Sequence, residues 1–259
     1  MKFIPLLSGS SGNSSLIVVG GKKLLVDAGH TGKCITDALR MVGTDPAELS
    51  GILVTHDHID HTKGVGILSR RYNLPVYANA GTFEAMQPIV KEIAFSNVRL
   101  FRSGQDFYIG DINITPFRTP HDAAEPVGFA FTYRGCKLTY MTDIGCMREE
   151  LYEYAANSRL LFIEANHDIP MLKNGPYPYP LKKRILSDKG HLSNENCGRA
   201  LIRLYELGVR SAILGHLSKE NNTEALAYST VRGLLEASGI ADMQLTVAKR
   251  DAVTGVFEF

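Results

Sequence analysis

The sequence predicts an α/β fold, built as one domain with two strand-rich halves. Short apolar and β-branched runs recur along the chain, helical periodicities separate them, and no low-complexity linker divides residues 1–259. A chain of 259 residues can bury a large share of its surface without disulfide staples. Its 44% hydrophobic and 21% charged residues exclude a disordered or collagen-like chain.

In chain order, residues 15–19 and 23–26 flank Gly20-Gly21, a hairpin signal because both glycines accept positive φ. Short strand-like runs follow at 51–55, 75–78, 111–117, 128–133, 137–142 and 160–164, with helical patterns at 31–42, 64–72 and 148–156. Ser193 can cap a helix whose Cys197, Leu201 and Leu204 form one apolar stripe, and Gly208 can end it. A strand at 211–214, a helix over 224–237 stopped near Gly239, and a last strand at 244–248 complete the pattern. Residues 169–189 depart from it. There Gly175-Pro176-Tyr177-Pro178-Tyr179-Pro180 precedes Lys182-Lys183-Arg184, and alternating prolines predict a stiff extended loop.

The 28 basic and 27 acidic residues leave a net charge of +1, so polyanion contact requires a local patch. No apolar run approaches the roughly 18 residues that span a bilayer, and residues 1–7 are too short for a signal-peptide core. Cys34, Cys136, Cys146 and Cys197 form no C-x-x-C pair, which suits reduced thiols. These features predict a cytoplasmic protein without membrane contact, and nothing in them calls for an obligate protein partner.

The chemistry concentrates in Thr55-His56-Asp57-His58-Ile59-Asp60-His61, directly after the apolar run 51–54. A strand end supplies rigidity, and the following turn lets alternate side chains converge. Imidazole and carboxylate suit divalent first-row metals such as zinc or manganese. A solvated polar turn is the bland alternative, but isolated histidines do not assemble at H-x-H-x-D-H spacing.

This motif resembles the signature of the metallo-β-lactamase fold hydrolases, and the rest of the chain follows that family's order. Asp27 in Leu24-Leu25-Val26-Asp27-Ala28-Gly29, His121 in Thr119-Pro120-His121, Asp143 in Tyr140-Met141-Thr142-Asp143 and His216 in Leu214-Gly215-His216 each follow a strand-like run. The resemblance implies an αββα sandwich over residues 1–259 and a dinuclear site. His56, His58 and His121 would hold one divalent ion, Asp60, His61 and His216 the other, with Asp143 bridging. Two ions about 3.5–4 Å apart can lower the pKa of a shared water toward about 7 and clamp a displacement at phosphorus. Asp60 would help orient the nucleophile, and Asp27 would orient ligands. An aspartate rather than a cysteine at the bridge favours a phosphodiesterase-like member.

Three segments narrow the resemblance to the stand-alone bacterial YycJ (WalJ) group of exonucleases. They are Ser8-Gly9-Ser10-Ser11-Gly12-Asn13-Ser14, Ile163-Glu164-Ala165-Asn166-His167-Asp168 and Gly190-His191-Leu192-Ser193-Asn194-Glu195-Asn196. The resemblance implies 5′→3′ attack on DNA or RNA, with DNA favoured; the chain has no room for the large inserted clamp of the ribonuclease J branch.

Several residues keep two readings. The segment 8–14 is an anion-binding loop or a flexible turn. His191 contacts phosphate or protonates the leaving oxygen, or simply packs at a helix start. His30, His167 and Asp168 support the site or lie on the surface. Tyr177, Tyr179 and Lys182-Lys183-Arg184 offer stacking rings and charge for a single strand, or solvated charges; Arg70-Arg71 reads as a solvated helix end. The leading expectation is therefore a metal-dependent exonuclease. Its competitors are a hydrolase of a small phosphodiester or thioester, and an inert scaffold, against which the complete ligand set speaks.

Overall fold

Leu24, Leu25 and Val26 are all buried, which a strand achieves when both its faces are covered. Leu24 and Val26 enter a core shared by two sheets, whereas Leu25 enters a separate core under helices. That alternation is the period-2 geometry of a strand. A computed structural model describes residues 1–259 and extends the same pattern across two sheets.

The first sheet holds β1 (Lys2–Gly9), β2 (Gly12–Val19), β3 (Lys22–Val26), β4 (Gly51–Leu53), β5 (Val76–Asn79) and β6 (Val98–Phe101). The second holds β7 (Phe107–Ile109), β8 (Ile112–Arg118), β9 (Val127–Tyr133), β10 (Cys136–Met141), β11 (Leu160–Glu164), β12 (Ser211–Gly215) and β13 (Gln244–Val247). The final strand, β14 (Phe257–Glu258), returns to the first sheet beside β1, so the orders are 14-1-2-3-4-5-6 and 13-12-11-10-9-8-7. Gly20 and Gly21 have φ of +56° and +72°, as the predicted hairpin requires.

The outer face of the first sheet packs on α1 (Gly32–Met41), α3 (Val65–Tyr72) and α4 (Ala80–Val90), with α2 (Ile59–Thr62) as one turn between them. The outer face of the second packs on α5 (Glu149–Ala155), α8 (Asn194–Glu206) and α9 (Glu224–Ala237). Phe3, Phe129, Tyr140 and Phe162 fill the layer between the sheets. The result is the expected αββα sandwich. No helix is long and apolar enough to cross a membrane, and all four cysteines are free.

Two expectations need correction. Residues 169–189 are not an extended loop but two short helices, α6 (Ile169–Asn174) and α7 (Tyr179–Ile185). Pro170 and Pro180 occupy their first turns, where a missing N–H costs nothing and a fixed φ favours helix. The bend between them retains Pro176 and Pro178. Arg70 is not a solvated helix end: its Nη1 donates to the carbonyls of Val90 (2.9 Å) and Glu92 (2.7 Å), closing the end of α4.

Candidate metal centre

Each predicted ligand leaves the C-terminal end of a strand, where open α/β sheets place their sites. The 56–61 turn follows β4 in the first sheet, while His121, Asp143 and His216 follow β8, β10 and β12 in the second. Asp27, Asp143 and His216 have φ of +59°, +58° and +56°. Non-glycine residues rarely adopt this left-handed conformation, and it turns each side chain sharply inward from its strand.

These turns bring the seven residues into overlapping groups. His56, His58 and His121 form one trio, Asp60, His61 and His216 another, and Asp143 joins His56 and His61 in a third; within each, ligand atoms lie within 4.8 Å of one another. Asp143 stands between the first two. Its Oδ1 is 3.6 Å from His121 Nε2, and its Oδ2 is 3.4 Å from His61 Nε2. His58 Nδ1 and His121 Nε2 face each other at 3.3 Å.

Other side chains fix which nitrogen faces the centre. His61 Nδ1 donates to Asp27 Oδ2 at 2.8 Å, and Asp27 is itself held by the Thr55 backbone N–H and hydroxyl, both at 2.8 Å. His121 Nδ1 donates to the Gly190 carbonyl at 3.0 Å. His216 Nδ1 donates to Glu164 Oε1 at 2.7 Å, leaving Nε2 inward. Such outer hydrogen bonds orient imidazole ligands and raise their basicity.

Two observations test whether this chemistry fits cations. His56 Nε2, Asp143 Oδ2 and His216 Nε2 are buried without a hydrogen-bond partner, a costly state unless another group satisfies them. Asp27, Asp60, Asp143 and Glu164 also put four carboxyl groups in one region that is largely closed to water. Burial opposes ionisation of Asp143, but the surrounding imidazoles, His216 first, hold it well below the carboxylate range. Burial likewise opposes charge on His216, yet Asp143, the Asp60 carboxylate 3.5 Å from Nε2 and the hydrogen bond to Glu164 lift it to about 10. The carboxylates thus call for positive charge at the centre, which divalent cations on these donors supply. The residues fit the metals.

Glu164 enters the sequence reading only within the segment 163–168, with no role of its own. Fully buried at the end of β11, its Oε1 accepts from His191 Nδ1 (2.8 Å) as well as His216. Its Oε2 takes the Ile144 and Leu192 backbone N–H groups at 2.8 and 3.1 Å. Burial pushes its carboxyl up, but His191 and these hydrogen bonds bring it down to about 2. An acidic end to the apolar run 160–163 was the available signal, yet its four partners lie far along the chain.

The segment 8–14 lies beside the centre, with Ser10 at the opening near His58 and Asp60. It is the β1–β2 hairpin, and its side chains brace the centre. Ser8 Oγ accepts the His216 N–H at 2.8 Å, Asn13 Nδ2 approaches His61 Nε2 at 3.1 Å, and Ser14 Oγ donates to the Asp27 carbonyl at 2.9 Å. His30 lies outside the cluster, its Nδ1 accepting from the Thr31 N–H. His167 is buried nearby without a ring partner, and burial lowers it to about 4. Asp168 caps α6 through the Met171 N–H.

The mouth of the centre is lined by His58, Asp60, His191 and His216, with Tyr177, Leu181 and Arg184 of the α6–α7 segment forming one wall. Lys182 turns away and donates to the carbonyls of Lys173 and Gly175, while Arg184 pairs with Asp122.

Comparison with known proteins agrees with this geometry. The Beta-lactamase superfamily domain matches residues 22–217. The chain is 42% identical over 232 residues to Exodeoxyribonuclease WalJ of Streptococcus pneumoniae serotype 2, covering 89% of this chain and 86% of that protein. It is 39% identical over 239 residues to Exodeoxyribonuclease YycJ of Bacillus anthracis, covering 92% and 90%. The metallo-beta-lactamase fold protein YhfI from Bacillus subtilis superposes with a TM-score of 0.73 at 18% identity, covering 100% and 99%. Ligand turns in the family's order, a two-sheet sandwich and a match over most of the chain give one conclusion: the chain belongs to the beta-lactamase superfamily, in its metallo-beta-lactamase fold.

Proposed function

We propose that this chain is a cytoplasmic exonuclease that hydrolyses DNA in the 5′→3′ direction with two divalent ions, zinc or manganese. The observation that carries the reading is the pair of trios on either side of Asp143, opening on a mouth lined by His191. Extensive identity to two exodeoxyribonucleases supports DNA as the polymer. His56, His58 and His121 would hold one ion, Asp60, His61 and His216 the other, and Asp143 would bridge. Bound there, the ions would lower the pKa of a water and neutralise charge gathering on the scissile phosphate.

The chain's own groups supply the rest. Asp60 is 23% exposed at the mouth; burial opposes its charge, but His61 and His216 hold it ionised, well below the usual range. It can therefore accept a hydrogen bond from a water and orient it. His191 is fixed through Nδ1 on Glu164, so Nε2 is free to pass a proton to the leaving oxygen. Net charge of +1 favours a second reading, in which the same centre cleaves a small phosphodiester.

Digestion of 5′-labelled single- and double-stranded DNA and RNA with added manganese or zinc tests both. Release of labelled terminal nucleotides from DNA without a ladder, lost in His58→Ala, is the expected result. No polymer cleavage, with bis(p-nitrophenyl) phosphate still hydrolysed, would favour the second reading. Metal analysis of the same preparation is expected to count two ions per chain.

A further inference from the structure

The basic triplet 182–184 looks suited to a nucleic-acid strand, but two of its three charges are engaged within the protein. Lys182 holds the carbonyls of Lys173 and Gly175 at 2.8 and 2.7 Å, and Arg184 is paired with Asp122 through both ends of its guanidinium. Lys183 lies over its own neighbour, the Tyr179 ring, at 5.8 Å. A strand needs cations whose charge is free to replace the counterions of its phosphates.

Such cations line a different surface. A cleft of about 470 Å³ runs from His121 across the ends of β8 and β9 to α5, and Arg118, Arg148 and Lys189 line it. All three side chains belong to exposed residues. Arg118, its side chain 77% exposed, makes only a loose ion pair with Glu125 at 4.0 Å, and Arg148 and Lys189 form none. Two acidic residues share the cleft. Glu125 accepts the Gly81 N–H and the Ser103 hydroxyl, at 3.1 and 2.7 Å, and Glu150 lies at the start of α5. The balance is one positive charge, which suits a few phosphate contacts rather than a strongly basic duplex groove. Beside His121, Thr119 keeps a buried hydroxyl without a partner.

The cleft adjoins the chemistry through buried His121. His121 lines it, His58 lines the mouth of the centre, and their facing nitrogens are 3.3 Å apart. We infer that this cleft is the track for a single strand of nucleic acid, with Arg118, Arg148 and Lys189 contacting successive phosphates of the chain whose end lies at the metal centre. The inference rests on the exonuclease reading and adds where the polymer runs.

The test is fluorescence anisotropy with a labelled phosphorothioate single strand of about 20 nucleotides, titrated against metal-loaded protein over a range of salt concentrations. Neutralising one fewer phosphate should reduce the slope of log K against log salt by about 0.7. For Arg118→Gln/Arg148→Gln/Lys189→Gln, whose surface positions leave the core intact, the slope should fall by about 2, with at least tenfold weaker binding at moderate salt. Circular dichroism and metal content of the variant should match the parent. An unchanged slope in the triple variant, while the parent binds and digests DNA, overturns the cleft and leaves the exonuclease reading standing. A slope that falls in Lys183→Gln but not in the triple variant overturns it in favour of the α7 face. A parent that neither binds nor digests any polymer removes the exonuclease reading, and the track with it.

Discussion

Glu164 shows most clearly what one residue contributes here. All its acceptor capacity is taken by donors: two imidazole N–H groups on one oxygen and two backbone N–H groups on the other. Glu164→Gln would turn an amide N–H₂ toward at least one of these donors, so the loss exceeds one hydrogen bond. A stability cost of about 2–3 kcal/mol and a metal affinity reduced roughly 10–100-fold are expected, read by urea unfolding and chelator competition. Asp27→Asn acts on one ring only, through the 2.8 Å bond to His61. Its effect on affinity should be about tenfold, near the lower end of that range. The convergence of the seven candidate residues on one centre was legible because the turns that carry them follow apolar runs and hold side chains out of place in a solvated turn. Glu164 was not, because its partners His191 and His216 lie 27 and 52 residues away. A pattern read along the chain registers local spacing, whereas these contacts exist only after β11 and β12 pair.

At the scale of elements, the turn after β3 decides where α2 sits. Ala28 N–H donates to the His61 carbonyl and Gly29 N–H to the Asn13 carbonyl, both at 2.8 Å. A Cβ on Gly29 would lie 1.6 Å from the Asp60 carbonyl oxygen, so Gly29→Ala must displace the turn that carries Asp60 and His61. Destabilisation of about 3 kcal/mol is expected, with loss of metal from the purified protein, measured by denaturant unfolding and elemental analysis. Most strands and the long helices were legible from periodicity. The 169–189 segment was not, because prolines that break a helix interior also start helices, and composition does not say which position they take. The sequence pattern likewise gave no sign of α4, whose Pro88 falls inside the helix near its end. The edge strands β6 and β7, with four and three residues, offer too short a pattern to register.

For the whole molecule, the decisive fact is how the two sheets share the centre. Each trio takes two residues from the turn after β4 in the first sheet and one from the second, and Asp143 also belongs to the second. Cations bound there join the sheets as well as supporting hydrolysis. Free metal at about a thousand times its Kd should add about 4 kcal/mol of stability. At about 2–4 °C per kcal/mol for a chain of this size, chelation should lower Tm by on the order of 10 °C in a thermal scan. His216→Ala should reduce that shift. Neither trio is complete until the sheets have docked, so metal capture belongs late in folding. A late contact governs how long the native state lasts rather than how fast it is reached. Stopped-flow refolding should therefore proceed at nearly the same rate with or without metal, while metal-loaded protein escapes the native state far more slowly, making the hydrolytic centre also the clasp that sets the molecule's lifetime.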